Sequence, residues 1–156
     1  MKKALIILPI AGLLLVALAV AQVSEDITVS ADVQPYYSVV FNYASVSFGA
    51  VYPGTDIPAP GNSIGAYNVS VETNIDLTVS ASRTAWYPSD VLTLKFASSL
   101  YGTPTSPEYV IGTASVTVDS ISPGVYTHYH AYWLDVPIGA YPGSYSTNVT
   151  MTYQPA

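Results

Sequence analysis

The sequence predicts an all-β protein, an immunoglobulin-like β-sandwich of the jelly-roll or Greek-key type, and three observations carry that expectation. From Glu25 onward apolar and polar residues alternate with period 2, and no helical period competes with them. β-Branched residues, tyrosine and serine fill the alternating positions, the side chains that suit a pleated, half-buried surface. Four Pro-Gly pairs, Pro53-Gly54, Pro60-Gly61, Pro123-Gly124 and Pro142-Gly143, punctuate the runs. Proline presets the second position of a type II turn and glycine accepts the positive φ of the third.

Ahead of this alternation stands "MKKALIILPIAGLLLVALAVAQ", with Lys2 and Lys3, an apolar run from Ala4 to Val20, and the small-residue site Ala19-Val20-Ala21. This is the pattern of a secretory signal peptide over residues 1–21, cut after Ala21. A retained anchor and a pilin leader cut just after the lysines, which keeps the apolar helix as a filament core, are the alternatives. Removal of the leader leaves Arg83 and Lys95 as the only cationic Lys or Arg side chains against ten carboxylates. That balance excludes nucleic acid and anionic membrane surfaces as partners. The chain has no cysteine, so export would proceed without disulfides. Charged residues make up 9% of the sequence, too few to cover a soluble monomer, so sugar or neighbouring subunits are expected to cover it.

The candidate strands are residues 27–34, 37–43, 45–48, 67–73, 75–81, 91–96, 114–119, 126–136 and 145–153. "DIPAPGNS" from Asp56 and "YGTPTSPEY" from Tyr101 read as rigid proline-rich loops. The near-repeat "FGAVYPGT" and "IGAYPGSY" reads as one corner made twice, with Tyr52 and Tyr141 packed beside each turn.

The N-terminal stretch "ITVSADVQPYYSVVFNY" is unusual in its length. Ile27, Val29, Ala31 and Val33 are apolar and Thr28, Ser30, Asp32 and Gln34 polar, and the odd phase resumes at Val39, Phe41 and Tyr43. An unbroken strand of this length would reach roughly 50 Å, against about 17–20 Å for a typical strand. Residues 37–156 are therefore assigned to the sandwich and residues 22–36 to a projecting N-terminal strand. Such a strand, apolar on one face, can complete the sheet of an identical subunit by strand addition, with Ile27, Val29, Ala31 and Val33 as the donated face. A subunit that both gives and receives grows head to tail into a filament. The alternative is that Pro35 kinks the chain and residues 27–34 fold back as an ordinary first strand.

Two sequons, Asn68-Val69-Ser70 and Asn148-Val149-Thr150, place both asparagines opposite the apolar residues of their strands, so N-glycans are expected at Asn68 and Asn148. His128 and His130 share a strand face, but no further His or Cys exists to complete a metal site. They are expected to face solvent or an interface. No nucleophile elbow, paired catalytic carboxylates or phosphate-cradling loop is present, so neither an enzyme nor a cofactor is expected. Trp86, which follows a strand and has room to be exposed, and Trp133, expected to be a buried anchor, are the aromatic candidates for stacking on sugar. A monomeric secreted carbohydrate-binding or adhesive module is thus the second functional reading.

The stretches "ITVSADVQPYYSVVFNYASVSFGAVYPGT" and "YWLDVPIGAYPGSYSTNVTMTY" resemble those of small secreted β-sandwich proteins of prokaryotic cell surfaces. In layout the chain is most similar to archaeal extracellular filament subunits, the threads and bundling pili. That resemblance implies a cleaved Sec-type signal, an N-terminal strand inserted into the next subunit's sandwich, frequent glycosylation, and a role in adhesion or cell–cell contact at the cell surface.

Overall fold

The structure, a computed structural model, describes Thr28 and residues 30–156. The signal-peptide assignment and two of the four expected donor residues, Ile27 and Val29, lie outside the described residues. The chain divides into two units, Met1–Val33 and Gln34–Ala156. In the first, Ala31 and Val33 are exposed and belong to no strand. The second unit is all-β, with two antiparallel sheets.

Its elements are β1 (Tyr37–Phe41), β2 (Thr55–Pro58), a 3-10 turn (Pro60–Ile64), β3 (Asn68–Thr73), β4 (Leu77–Arg83), β5 (Thr93–Ser99), β6 (Tyr109–Ile111), β7 (Val116–Ile121), β8 (Gly124–Val136) and β9 (Val149–Pro155). The larger sheet runs β1-β3-β8-β5-β6, with β2 also on β8; the smaller runs β7-β4-β9. Between them lies a core that includes Val69, Val71, Leu77, Val79, Phe96, Ile111 and Ile121, each at most 1% exposed. These residues alternate with polar ones along β3 and β4, which is why period 2 located those strands.

The 13-residue β8 is the spine of the larger sheet. β5 pairs with its residues 129–135 on one edge, while β3 takes 124–129 and β2 takes 133–136 on the other. Between β3 and β2 the ladder is completed without a strand. The Asn62 side chain accepts from the Tyr132 N–H at 3.0 Å and donates to the Tyr132 carbonyl at 2.8 Å, the pair of bonds a neighbouring strand would make. Asn62 reaches that position on the 3-10 turn, which needs Gly61: a Cβ there would sit 2.5 Å from the Tyr67 ring. Thus "DIPAPGNS", expected as a loop, contributes β2 and a surrogate for a strand.

Three other expectations change. Residues 45–48 form no strand, although Val46 and Phe48 still pack against the core. β6, only three residues long, was hidden at the end of a proline-rich stretch. Tyr52 and Tyr141 do not pack beside their turns; they are 77% and 83% exposed. The two corners are nevertheless neighbours, since a Cβ on Gly54, which has φ +81°, would lie 3.2 Å from the Ile138 side chain. That positive φ is the one a type II turn at Pro53-Gly54 requires.

Replacing Asn62 with alanine strands the buried Tyr132 N–H. The expected loss is about 1–3 kcal/mol of unfolding free energy, measured by denaturant titration.

Candidate functional site: an open sheet edge beside a buried polar chain

The two sheets differ in width, and the consequence falls on β1. Tyr37, Val39 and Phe41 stand opposite Thr73, Val71 and Val69 of β3, so they occupy the core-facing side of the larger sheet. Those β3 partners are at most 5% exposed, yet Tyr37 and Phe41 are 44% and 43% exposed. The smaller sheet ends at β9, with no described strand beyond it. On β9 the core-facing Val149, Met151 and Tyr153 are only half-buried, whereas Val79 and Ala81 on the adjoining β4 are closed to solvent. The result is an apolar groove roofed by β1 and walled by β9, with Phe41 edge-on to Tyr153 at 5.9 Å.

Strand edges of soluble proteins are usually protected by charge, a bulge or proline. β9 reads VTMTYQP, with no charged residue and its only proline at the end. Alternate amides and carbonyls along it point away from β4 and remain available to a further strand. The opposite edge, β7, carries no comparable gap, because Val118 and Ile121 are buried.

Directly behind Tyr153 runs a chain of buried polar groups. The Asp119 carboxylate lies 2.9 Å from His128 Nε2, and His128 Nδ1 lies 2.7 Å from the Tyr153 hydroxyl. That hydroxyl is 3.1 Å from His130 Nε2; His130 Nδ1 is 2.6 Å from the Tyr43 hydroxyl, itself 2.7 Å from that of Tyr132. One polarity satisfies every member. Tyr132 donates to Tyr43, Tyr43 to His130, His130 to Tyr153, Tyr153 to His128, and His128 to the carboxylate. Both imidazoles are then neutral and Asp119 carries the only charge. The chain joins β8 to β7 and β9, so it fastens one sheet to the other.

Burial dominates the electrostatics of this chain. It pushes His130 down to about 3, helped by the charge His128 can carry and opposed by Asp119. It pushes Tyr43 up to about 12 against the hydrogen bond from Tyr132, with Tyr67 adding to the rise, and it raises Tyr132 and Tyr153. Burial also works against the Asp119 charge. Hydrogen bonds from His128, the Ser120 backbone and Ser98, together with the charge His128 can carry when protonated, outweigh it and hold the carboxyl below its ordinary range.

His128 and His130 were expected at solvent or an interface; both are fully buried in the core. Their common face was legible from parity, but both faces of β8 are covered and hydrophobicity could not choose between them. Pro58, Pro60, Thr103 and Pro104 gather around Trp133 on the outer face, where it packs with Ala97 and Ala131. Trp133 is thus buried as expected, though not in the main core. Trp86 is buried rather than exposed, with Arg83 over its ring at 5.9 Å. Asn148 is exposed and its side chain makes no hydrogen bond among the described residues. Asn68 is half-buried; it accepts from Asn42 at 2.6 Å and donates to the Gly65 carbonyl at 2.9 Å. Sequence reasoning missed Asp119, Tyr43 and Tyr153 as partners of the histidines, since nothing local to those residues marks them. Among the described residues no cluster of His, Cys, Asp and Glu could hold a metal ion. No model of a known protein family matches the chain, and no curated protein matches it either.

The depressed His130 and Asp119 both predict loss of stability in acid. The unfolded chain takes up a proton at His130 near 6.5, while the folded chain resists it down to about 3. Stability therefore falls as pH drops through that window, by up to about 1.4 kcal/mol per pH unit for one such group. Asp119 adds a loss in the same direction as pH falls through its depressed value. Calorimetry from pH 8 to 4 is expected to show a falling melting temperature below about 6.5; a flat profile would contradict the burial of a neutral His130.

Proposed function

We propose that the protein is the structural subunit of an extracellular filament, secreted through its signal peptide and polymerised head to tail by a donated N-terminal strand. The filament serves adhesion or cell–cell contact. The observation that carries this reading is the groove beside β9: an apolar slot with one open ladder edge and a core-facing side left half-covered. What fits it is a short strand with apolar residues at alternate positions. The chain's own N-terminal segment, Ile27, Val29, Ala31 and Val33 alternating with polar residues, has that pattern. Its eight residues match the seven of β9. In this reading the partners are identical subunits and covalent N-glycans, with no cofactor and no catalytic role, and the sandwich is of the immunoglobulin type.

The carbohydrate-binding alternative draws less support, because it relied on an exposed indole and both tryptophans are buried. Glycosylation remains part of the proposal, and the geometry favours Asn148 over Asn68. A glycan on Asn68 would displace the bonds it makes to Asn42 and Gly65.

Two measurements test this. The double substitution Val29→Asp and Val33→Asp is expected to abolish polymers, read by sedimentation, while changing the domain's stability by no more than about 0.5 kcal/mol. Wild-type monomers at high concentration would defeat the proposal. Glycopeptide mass mapping of the native protein is expected to find Asn148 occupied and Asn68 bare, and the reverse pattern would contradict the accessibility argument.

A further inference from the structure

We infer that the two near-identical Tyr-Pro-Gly corners form a contact surface for a second copy of the chain, which seats the opposite end of its sandwich there; this rests on the filament reading above. The sandwich has two unlike ends. At the near end Tyr37 and Gly124 both pair with Thr73, and Leu77 pairs with Ile121 and Pro155. The chain enters the sandwich there, held where the Tyr36 N–H donates to the Asn74 side chain at 2.6 Å and the Asn74 N–H donates to the Tyr36 carbonyl at 3.0 Å. At the far end Thr55 pairs with Val136 and Thr93 with Asp135, and the adjoining loops carry the two corners.

The far end is apolar and uncharged. Tyr52, Tyr87, Ile138 and Tyr141 are each at least 75% exposed. Their loops converge. The Gly54 N–H donates to the Val136 carbonyl at 2.7 Å, Gly54 approaches the Ile138 side chain, and the Tyr87 and Ser146 backbones exchange both hydrogen bonds. Residues 43–55, 84–89 and 137–148 contain no charged side chain. Among the described residues, Tyr52 and Tyr141 lend their corners only backbone carbonyls, which accept from the Thr55 and Tyr145 hydroxyls. The rings themselves do nothing for the turns. Each tyrosine can cover about 150 Å² or more, so three of them with Ile138 come to several hundred Å², the size at which an exposed apolar patch marks an interaction site.

Charge selects what sits on it. At the near end Glu72 and Asp76 are exposed, beside exposed Tyr36 and Val125. The described cations are engaged elsewhere, Arg83 with Asp90 and Lys95 with Asp56. Two near ends brought together would set carboxylates against carboxylates with no cation between them. Two far ends brought together would close a dimer and stop growth. Far end against near end is the pairing that repeats without closing. It places Tyr52, Ile138 and Tyr141 opposite Tyr36 and Val125, and it gives the carboxylates an uncharged neighbour.

The test uses the full secreted chain with two double variants, Tyr52→Glu with Tyr141→Glu and Tyr52→Lys with Tyr141→Lys. Both are expected to melt as wild type does, because neither ring is packed in the sandwich. Set against Glu72 and Asp76, the glutamate pair is expected to lower the pelletable fraction about tenfold or more. The lysine pair is expected to lose far less in low salt and to approach the glutamate pair as salt screens its attraction. If the glutamate pair fails to fold, the salt dependence of the lysine pair decides the matter, and polymers indifferent to salt would overturn the contact. Variants that both pellet like wild type would overturn it too, and equal losses in low salt would overturn its pairing with the acidic end. Wild-type chain that forms no polymer would instead remove the filament reading, and this inference with it.

Discussion

A three-stranded sheet cannot cover a six-stranded one, and the rest of this structure follows from where the shortfall lies. In the smaller sheet β7 approaches β5 and β4 approaches β6, on the side of the larger sheet away from β1, and β1 is the strand left least covered. Aromatic side chains that β1 turns toward the core, Tyr37 and Phe41, are therefore about half exposed while their neighbours on β3 are closed. Leaving apolar surface and an uncharged strand edge side by side is costly for a soluble domain, both as unburied area and as a template for unwanted pairing. A further strand along β9 would remove both costs together. That coincidence is found at β9 and at β1, the two edges that flank the same groove, and not at β7, where Val118 and Ile121 are buried.

The shortfall also explains why the core behind β9 is polar. β9 has a neighbour on one side only, so ladder bonds hold it less firmly than they hold β4. The chain from Asp119 to Tyr132 supplies a second attachment through the Tyr153 hydroxyl, which receives from His130 and donates to His128. A buried network with every donor and acceptor paired fixes geometry more narrowly than apolar packing does. A half-satisfied network would be worse than none, and this one is complete in a single polarity. It keeps Tyr153 against Phe41 and holds the groove in shape while its outer edge is open.

Much of this architecture was legible in the sequence. β3, β4 and β9 alternate cleanly because each has one core-facing side, and period 2 found them, and the longer β8, within a few residues of their observed ends. β2 and β6 were not legible: they are short, flanked by proline, and defined by pairing with distant residues of β8 and β5. The face bearing His128 and His130 was recognised as one face, but its assignment to the interior depends on Asp119 and Tyr153, which lie on other strands. The groove was invisible for a related reason. It is a property of how wide each sheet is and how they are offset, and no local pattern in β1 or β9 encodes either. What the sequence did show was an N-terminal run too long for one strand and apolar on one side.

The most direct measurement is helical reconstruction of the assembled filament at a resolution that traces side chains. In the proposed filament, residues 27–34 of one subunit are expected to run along the open edge of β9 in the next, with Ile27, Val29, Ala31 and Val33 turned toward Phe41, Met151 and Tyr153. A filament in which that edge is empty, or is filled by the same subunit's own N-terminal segment, would contradict it.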